Sequence, residues 1–138
     1  MSVRPFPTDP DVFRRIRPMR VEDLHVVARM HAATMGHTTW GQLGVDFVEA
    51  LYRAMLQHPT FLAWVYQEEG EVRGFIAGST DVRLLMRDTL RQRGAWLVLP
   101  ALRGLARRPA LLGTLARTPL YFRQSAPADD VRAESLFC

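Results

Sequence analysis

The chain has 138 residues, 48% of them hydrophobic and 23% charged, with a formal net charge of +4 and every one of its 18 basic residues an arginine. That size and balance describe one globular domain with a real core and argue against disorder. A single cysteine, Cys138, excludes a disulfide framework. The wide, irregular spacing of His25, His31, His37 and His58 offers no zinc pattern, and the longest apolar run, 95–102, is far short of a membrane helix.

Residues 1–12 hold three prolines and two aspartates and read as a flexible N-terminal arm, with no apolar stretch of the kind a secretory signal needs. The domain is expected over 13–138, in a cytoplasmic protein. Phe13 and Ile16 anchor a short strand that Pro18 ends. Glu22 and Asp23 supply first-turn acids, and Leu24, Val27, Ala28 and His31 recur at helical spacing, predicting a helix over 21–35. Gly36, Gly41, Gly44 and Trp40 mark a loop. Asp46 and Glu49 then form a capping-box pattern ahead of Phe47, Leu51 and Met55, which predicts a helix ending near His58.

Two β-prone runs, 61–66 and 72–78, flank Glu68-Glu69-Gly70-Glu71 and read as a hairpin. Gly74 and Gly78 fall where glycine marks a bulge or a close approach. From Asp81 the period becomes helical, over 82–99 and 101–117, with a break expected at Pro100. A polar turn over 125–130 precedes a strand over 132–138. This last strand is expected to pair with the second arm of the hairpin.

Charge is concentrated in one place. Residues 81–123 carry nine arginines against Asp81 and Asp88, whereas the remainder is mildly acidic. Arg83, Arg87 and Arg91 make one stripe, Arg103 and Arg107 another, among abundant leucines. Nucleic acid is not the expected partner, because such binders mix lysine with arginine and interleave aromatics. Three uses remain open: a helical hairpin packed on the domain or on a second subunit, a basic wall around an anionic acceptor or coenzyme, and an amphipathic surface on anionic membrane.

Three stretches carry a family resemblance. Ile16-Arg17-Pro18-Met19-Arg20-Val21-Glu22-Asp23-Leu24 is similar to the opening strand-to-helix step of the GNAT superfamily of acetyl-CoA-dependent N-acetyltransferases. The stretch 68–78 resembles that family's second-to-third-strand hairpin, and 133–138 the start of its fourth strand. The resemblance spans 13–80 and 131–138. It implies an α/β fold with a mixed, mostly antiparallel sheet flanked by helices on both faces, here incomplete, with 81–123 as a helical insertion before the fourth strand. It also implies acetyl transfer from acetyl-CoA to a small-molecule or peptide primary amine in a direct ternary complex.

By the same resemblance Glu134 is the candidate catalytic base, an acid placed to draw a proton from the acceptor amine. Leu136, Phe137 and Cys138 would offer backbone groups to the coenzyme. His37 and Trp40 would form one wall of the acceptor site, the alternative for Trp40 being a cap on the core. Cys138 has no neighbouring histidine to activate it as a nucleophile. His25 and His31 stand about 120° apart on a helix and share no metal. No metal is expected.

The pattern departs from the family at one point. The glycine loop R-x-x-G-x-G that cradles the coenzyme pyrophosphate is absent from the 138 residues. The expectation is therefore the N-terminal half of such an enzyme, inactive alone, with a homodimer or a complementing C-terminal half as partner. The alternative from another class is a non-catalytic helical interaction or membrane-surface module.

Overall fold

The computed structural model of the chain describes residues 9–113, 116 and 134–137. Residues 1–8, the 125–130 turn, 131–133 and Cys138 lie outside the described residues, as does most of 114–124.

Helix α1, Pro10–Arg14, opens the described chain. Asp9 caps it by accepting the Asp11 N–H at 2.9 Å, and Pro10 sits in the first turn, where its missing donor loses nothing. Phe13 therefore belongs to a helix, and the first strand, β1, is only Ile16–Pro18. The chain then turns through a 3-10 segment, Val21–Asp23, into α2, Leu24–Met35. Asp23 explains this step. Its carboxylate accepts two hydrogen bonds from the Arg17 guanidinium, at 2.7 and 2.8 Å, and the Arg20 N–H at 2.8 Å, tying strand to helix.

The glycine-marked loop contains a short helix, α3, Thr39–Gln42, capped by the Thr38 hydroxyl. Helix α4, Val45–Met55, starts differently from the sequence expectation. Its N-cap is Gly44 at φ 97°, a conformation that favours glycine, and no side chain caps it. The Asp46–Glu49 capping box does not form, because Asp46 lies inside the first turn and not at the N-cap; Glu49 pairs instead with His25 at 3.0 Å and Arg53 at 3.0 Å.

Strands β2, Phe61–Glu68, and β3, Glu71–Ser79, form the expected antiparallel hairpin. Its two-residue connection, Glu69-Gly70, holds φ values of 51° and 82°, the positive pair that a type I′ turn requires. The register shifts opposite Tyr66/Gln67, beside Gly74, and on the other side of β3 between Ala77 and Ser79, around Gly78. Both glycines thus stand at irregularities, as their positions in the sequence imply.

Helix α5 runs unbroken over Val82–Arg107, capped by the Asp81 side chain at the Leu84 N–H, 2.9 Å. The break expected at Pro100 does not occur. Proline forfeits one hydrogen bond there, but Leu97 and Gly104 on either side are buried and hold the helix on course. Strand β4, Glu134–Phe137, completes the sheet.

The strand order is β1-β2-β3-β4: a three-strand antiparallel sheet extended by the short fourth strand, with every described pairing antiparallel. The class is mixed α and β. Phe61, Val65, Ala77 and Ser79 project from one face into a core shared with Leu24, Val27, Leu51, Tyr52, Met55 and Leu85. Helices α2 and α4 pack together on that face, and α5 packs along α4. Helices on both faces are not found among the described residues: the opposite face leaves Trp64 38% and Ile76 59% exposed. No helix of the described residues is long and apolar enough to cross a membrane.

Candidate functional site

Register alone places Glu134. It stands opposite Ser79 at the end of β3, and Phe137 stands opposite Ala77. Leu136 lies between, in the same strand. Among the described strands β4 pairs only with β3.

Ser79 is the inner end of a hydrogen-bond chain that the sequence did not announce. Its buried hydroxyl accepts the Asp81 N–H at 3.1 Å and donates to Thr60 Oγ1 at 3.2 Å. Thr60 Oγ1 lies 2.9 Å from His58 Nδ1, which also accepts the Thr60 N–H at 3.3 Å. His58 Nε2 then faces Asp88 Oδ2 at 3.3 Å. With Nδ1 accepting twice, the network assigns the ring proton to Nε2, where it donates to Asp88. The Arg87 guanidinium and His58 hold the Asp88 carboxyl below the usual carboxylate range.

The sequence signal for this chain is slight. His58, Thr60 and Asp88 are common polar residues at a helix end, a loop and a helix face. Only the packing of α5 on the end of α4 brings them together.

Two clefts flank the outer end of the chain, between α4 and α5. One, about 470 Å³, is lined by Asp46, Glu49, Ala50, Arg53, Ala54, Arg93 and Trp96. The other, about 360 Å³, includes Gln57, His58, Asp88, Thr89 and Gln92, and shares Ala54 and Arg93 with the first. Thr89 is 3% exposed, and its Oγ1 has no hydrogen-bond partner among the described residues.

His37 and Trp40, the candidate acceptor wall, lie just before and within α3. Trp40, in α3, is half-buried and stacks on Phe47, with ring centres 5.8 Å apart and planes 9° from parallel. That contact ties it to the core. His37 is exposed, and its carbonyl accepts from Gln42 at 2.7 Å. Helix α3 packs on α2 and α4, whereas the strand of Glu134 and Leu136 pairs with β3.

His31 is fully buried, its Nδ1 lies 3.2 Å from the Tyr52 hydroxyl, and burial pushes its imidazole below its ordinary pKa. Burial likewise pushes the Tyr52 phenol upward. His25 pairs with Glu49 on the surface, so the two histidines serve different partners. Among the described residues no group of three or more His, Cys, Asp or Glu is arranged to hold a metal ion.

Searches of family models, curated proteins and solved structures found no match to this chain.

Proposed function

We propose that the chain carries the base-bearing first strands and helices of a GNAT-like N-acetyltransferase domain, with 81–123 as a helical insertion between its third and fourth strands. The carrying observation is the pairing of Glu134–Phe137 antiparallel to β3, with Glu134 opposite Ser79. Support comes also from the order of elements, strand, helix, helix, hairpin, long helix, strand, which is the order implied by the resemblance of 16–24, 68–78 and 133–138.

In this reading Glu134 accepts the proton that a primary ammonium must lose before its nitrogen can attack a thioester carbonyl. The new C–N bond forms as the C–S bond breaks, and the thiolate leaves to take up a proton. The backbone of β4 at Leu136 and Phe137, and by the resemblance Cys138 after it, would suit an extended amide chain such as the pantetheine arm of acetyl-CoA, because both partners carry alternating donors and acceptors. The 138 residues contain no glycine-rich turn after a strand, so the coenzyme phosphates have no backbone cradle here. In this reading the cradle comes from a segment carrying an R-x-x-G-x-G loop, in the same polypeptide or in another.

Release of coenzyme A from acetyl-CoA in the presence of a panel of primary amines tests this. The chain alone gives none above background. Together with a complementing polypeptide it gives turnover, which Glu134→Gln lowers by roughly 10²-fold or more. Turnover by the chain alone, or turnover unaffected by Glu134→Gln, overturns the reading.

A further inference from the structure

Helix α5 is amphipathic twice over. One side buries Val82, Leu85, Met86 and Leu97 against the domain. The other side, in the second half of the helix, carries Ala95, Val98, Leu99, Leu102 and Ala106 at helical spacing, and all five are exposed: Val98 53%, Leu99 56% and Leu102 56%. A surface helix has no folding reason for a second apolar stripe.

Arginines frame the stripe. Arg91 lies at its start, Arg103 on its flank, and Arg107 and Arg108 at its end, all exposed. Among the described residues none of the four pairs with a carboxylate. The sequence holds no acidic residue from 89 to 128.

We propose that the outer face of α5 docks on an anionic lipid surface, with Val98, Leu99 and Leu102 entering the interfacial layer. This proposal stands independently of the acetyltransferase reading. Charge selects the occupant. A second copy docking antiparallel on this stripe would set Arg91 beside Arg107 and Arg108 with no acid between them, and a parallel copy would set each arginine beside itself. An anionic bilayer instead neutralises every arginine at once. Long arginine side chains reach sideways to headgroups while the aliphatic stripe enters between them. The helix is an interfacial element and not a spanning one, since it lacks the apolar length to cross.

The test is co-sedimentation of the full chain with vesicles of phosphatidylcholine alone and of phosphatidylcholine with a quarter phosphatidylserine. The expected result is binding to the anionic vesicles only. It weakens as salt rises, falls roughly five-fold for each arginine changed to glutamine, and falls about ten-fold or more in the Leu99→Glu/Leu102→Glu double variant. The variant's far-ultraviolet dichroism and melting temperature should match the parent, because both positions are exposed. Absence of binding to anionic vesicles overturns the proposal. So does binding that the double variant leaves unchanged, or a concentration-dependent dimer that the double variant abolishes. Loss of fold in the double variant overturns it too, since it would show that the chain itself covers the stripe.

Discussion

Arg17 and Asp23 show how one ion pair can set the entry to a domain. Asp23 is 6% exposed, and its carboxylate accepts three hydrogen bonds, two from the Arg17 guanidinium. The fork matches the carboxylate bidentately, which a lysine cannot reproduce. Arg17→Ala leaves a nearly buried carboxylate with one backbone donor. Breaking such pairs costs several kcal/mol when fully buried; with Arg17 partly exposed, we expect about 2 kcal/mol, read by urea denaturation. Arg17→Lys should recover only part of that.

The pH dependence follows from the same contact. Arg17 holds the Asp23 carboxyl below the usual carboxylate range, so its stabilisation is complete above the unfolded value of about 3.9 and is lost as pH falls through the lower folded value. His31 acts in the same direction but at milder acidity. Burial depresses its folded pKa, so the folded state resists protonation while the unfolded chain takes up a proton below about 6.5. Stability should therefore begin to decline below that pH and decline again below pH of about 4. A His31→Gln variant should lose the first decline and keep the second. Both residues drew notice in the sequence, Asp23 as a first-turn acid and His31 as part of an apolar stripe. Their partners did not, because Arg17–Asp23 and His31–Tyr52 require the fold to bring them together.

At the scale of elements, α5 has the clearest tests. An added Cβ on Gly104 would lie 2.4 Å from the Leu43 carbonyl oxygen, a backbone atom that cannot move aside cheaply. Gly94, in the same helix, has nothing within 4 Å of its Cβ position. Gly104→Ala should destabilise by about 1–3 kcal/mol through overpacking. Gly94→Ala should stabilise by about 0.5–1 kcal/mol through helix propensity. Opposite shifts in melting temperature would locate α5 against the loop at Leu43; shifts of the same sign would place it elsewhere.

The hairpin gives a second test. Glu69 sits at φ 51° in its two-residue turn, where asparagine is more comfortable, and Glu69→Asn should raise stability by some tenths of a kcal/mol. The hairpin was legible in the sequence because β-prone runs and a Gly-containing turn are local signals. Helix α5 was legible as helix but not as one continuous element. The reading gave Pro100 its usual weight as a breaker, whereas packing of Leu97 and Gly104 against the domain carries the helix through it. The capping box at Asp46 does not form because the N-cap of α4 is Gly44, which leaves Glu49 to pair with His25 across the interface between α2 and α4.

For the molecule as a whole, the hairpin and the pairing of the late strand at 134–137 with its second arm agree with the order expected from the sequence, whereas the pairing of β1 with β2 is added by the structure. What the sequence could not supply is the packing of helices on one face of the sheet and the polar chain from Ser79 to Asp88. That chain joins residues up to 30 positions apart through contacts that no local pattern encodes. It also joins the end of β3, where Glu134 is proposed to act, to the cleft between α4 and α5 that His58 and Asp88 line.

The central claim is that β4 is the strand that meets the coenzyme. Backbone amide shifts of the isotope-labelled chain, titrated with acetyl-CoA at about 0.15 M salt, test it most directly. The account predicts weak, millimolar perturbations concentrated on 134–138 and on Gly78 and Ser79, because these 138 residues carry the proposed coenzyme strand without an R-x-x-G-x-G loop. Perturbations confined to the arginines of α5, with β4 silent, would contradict it.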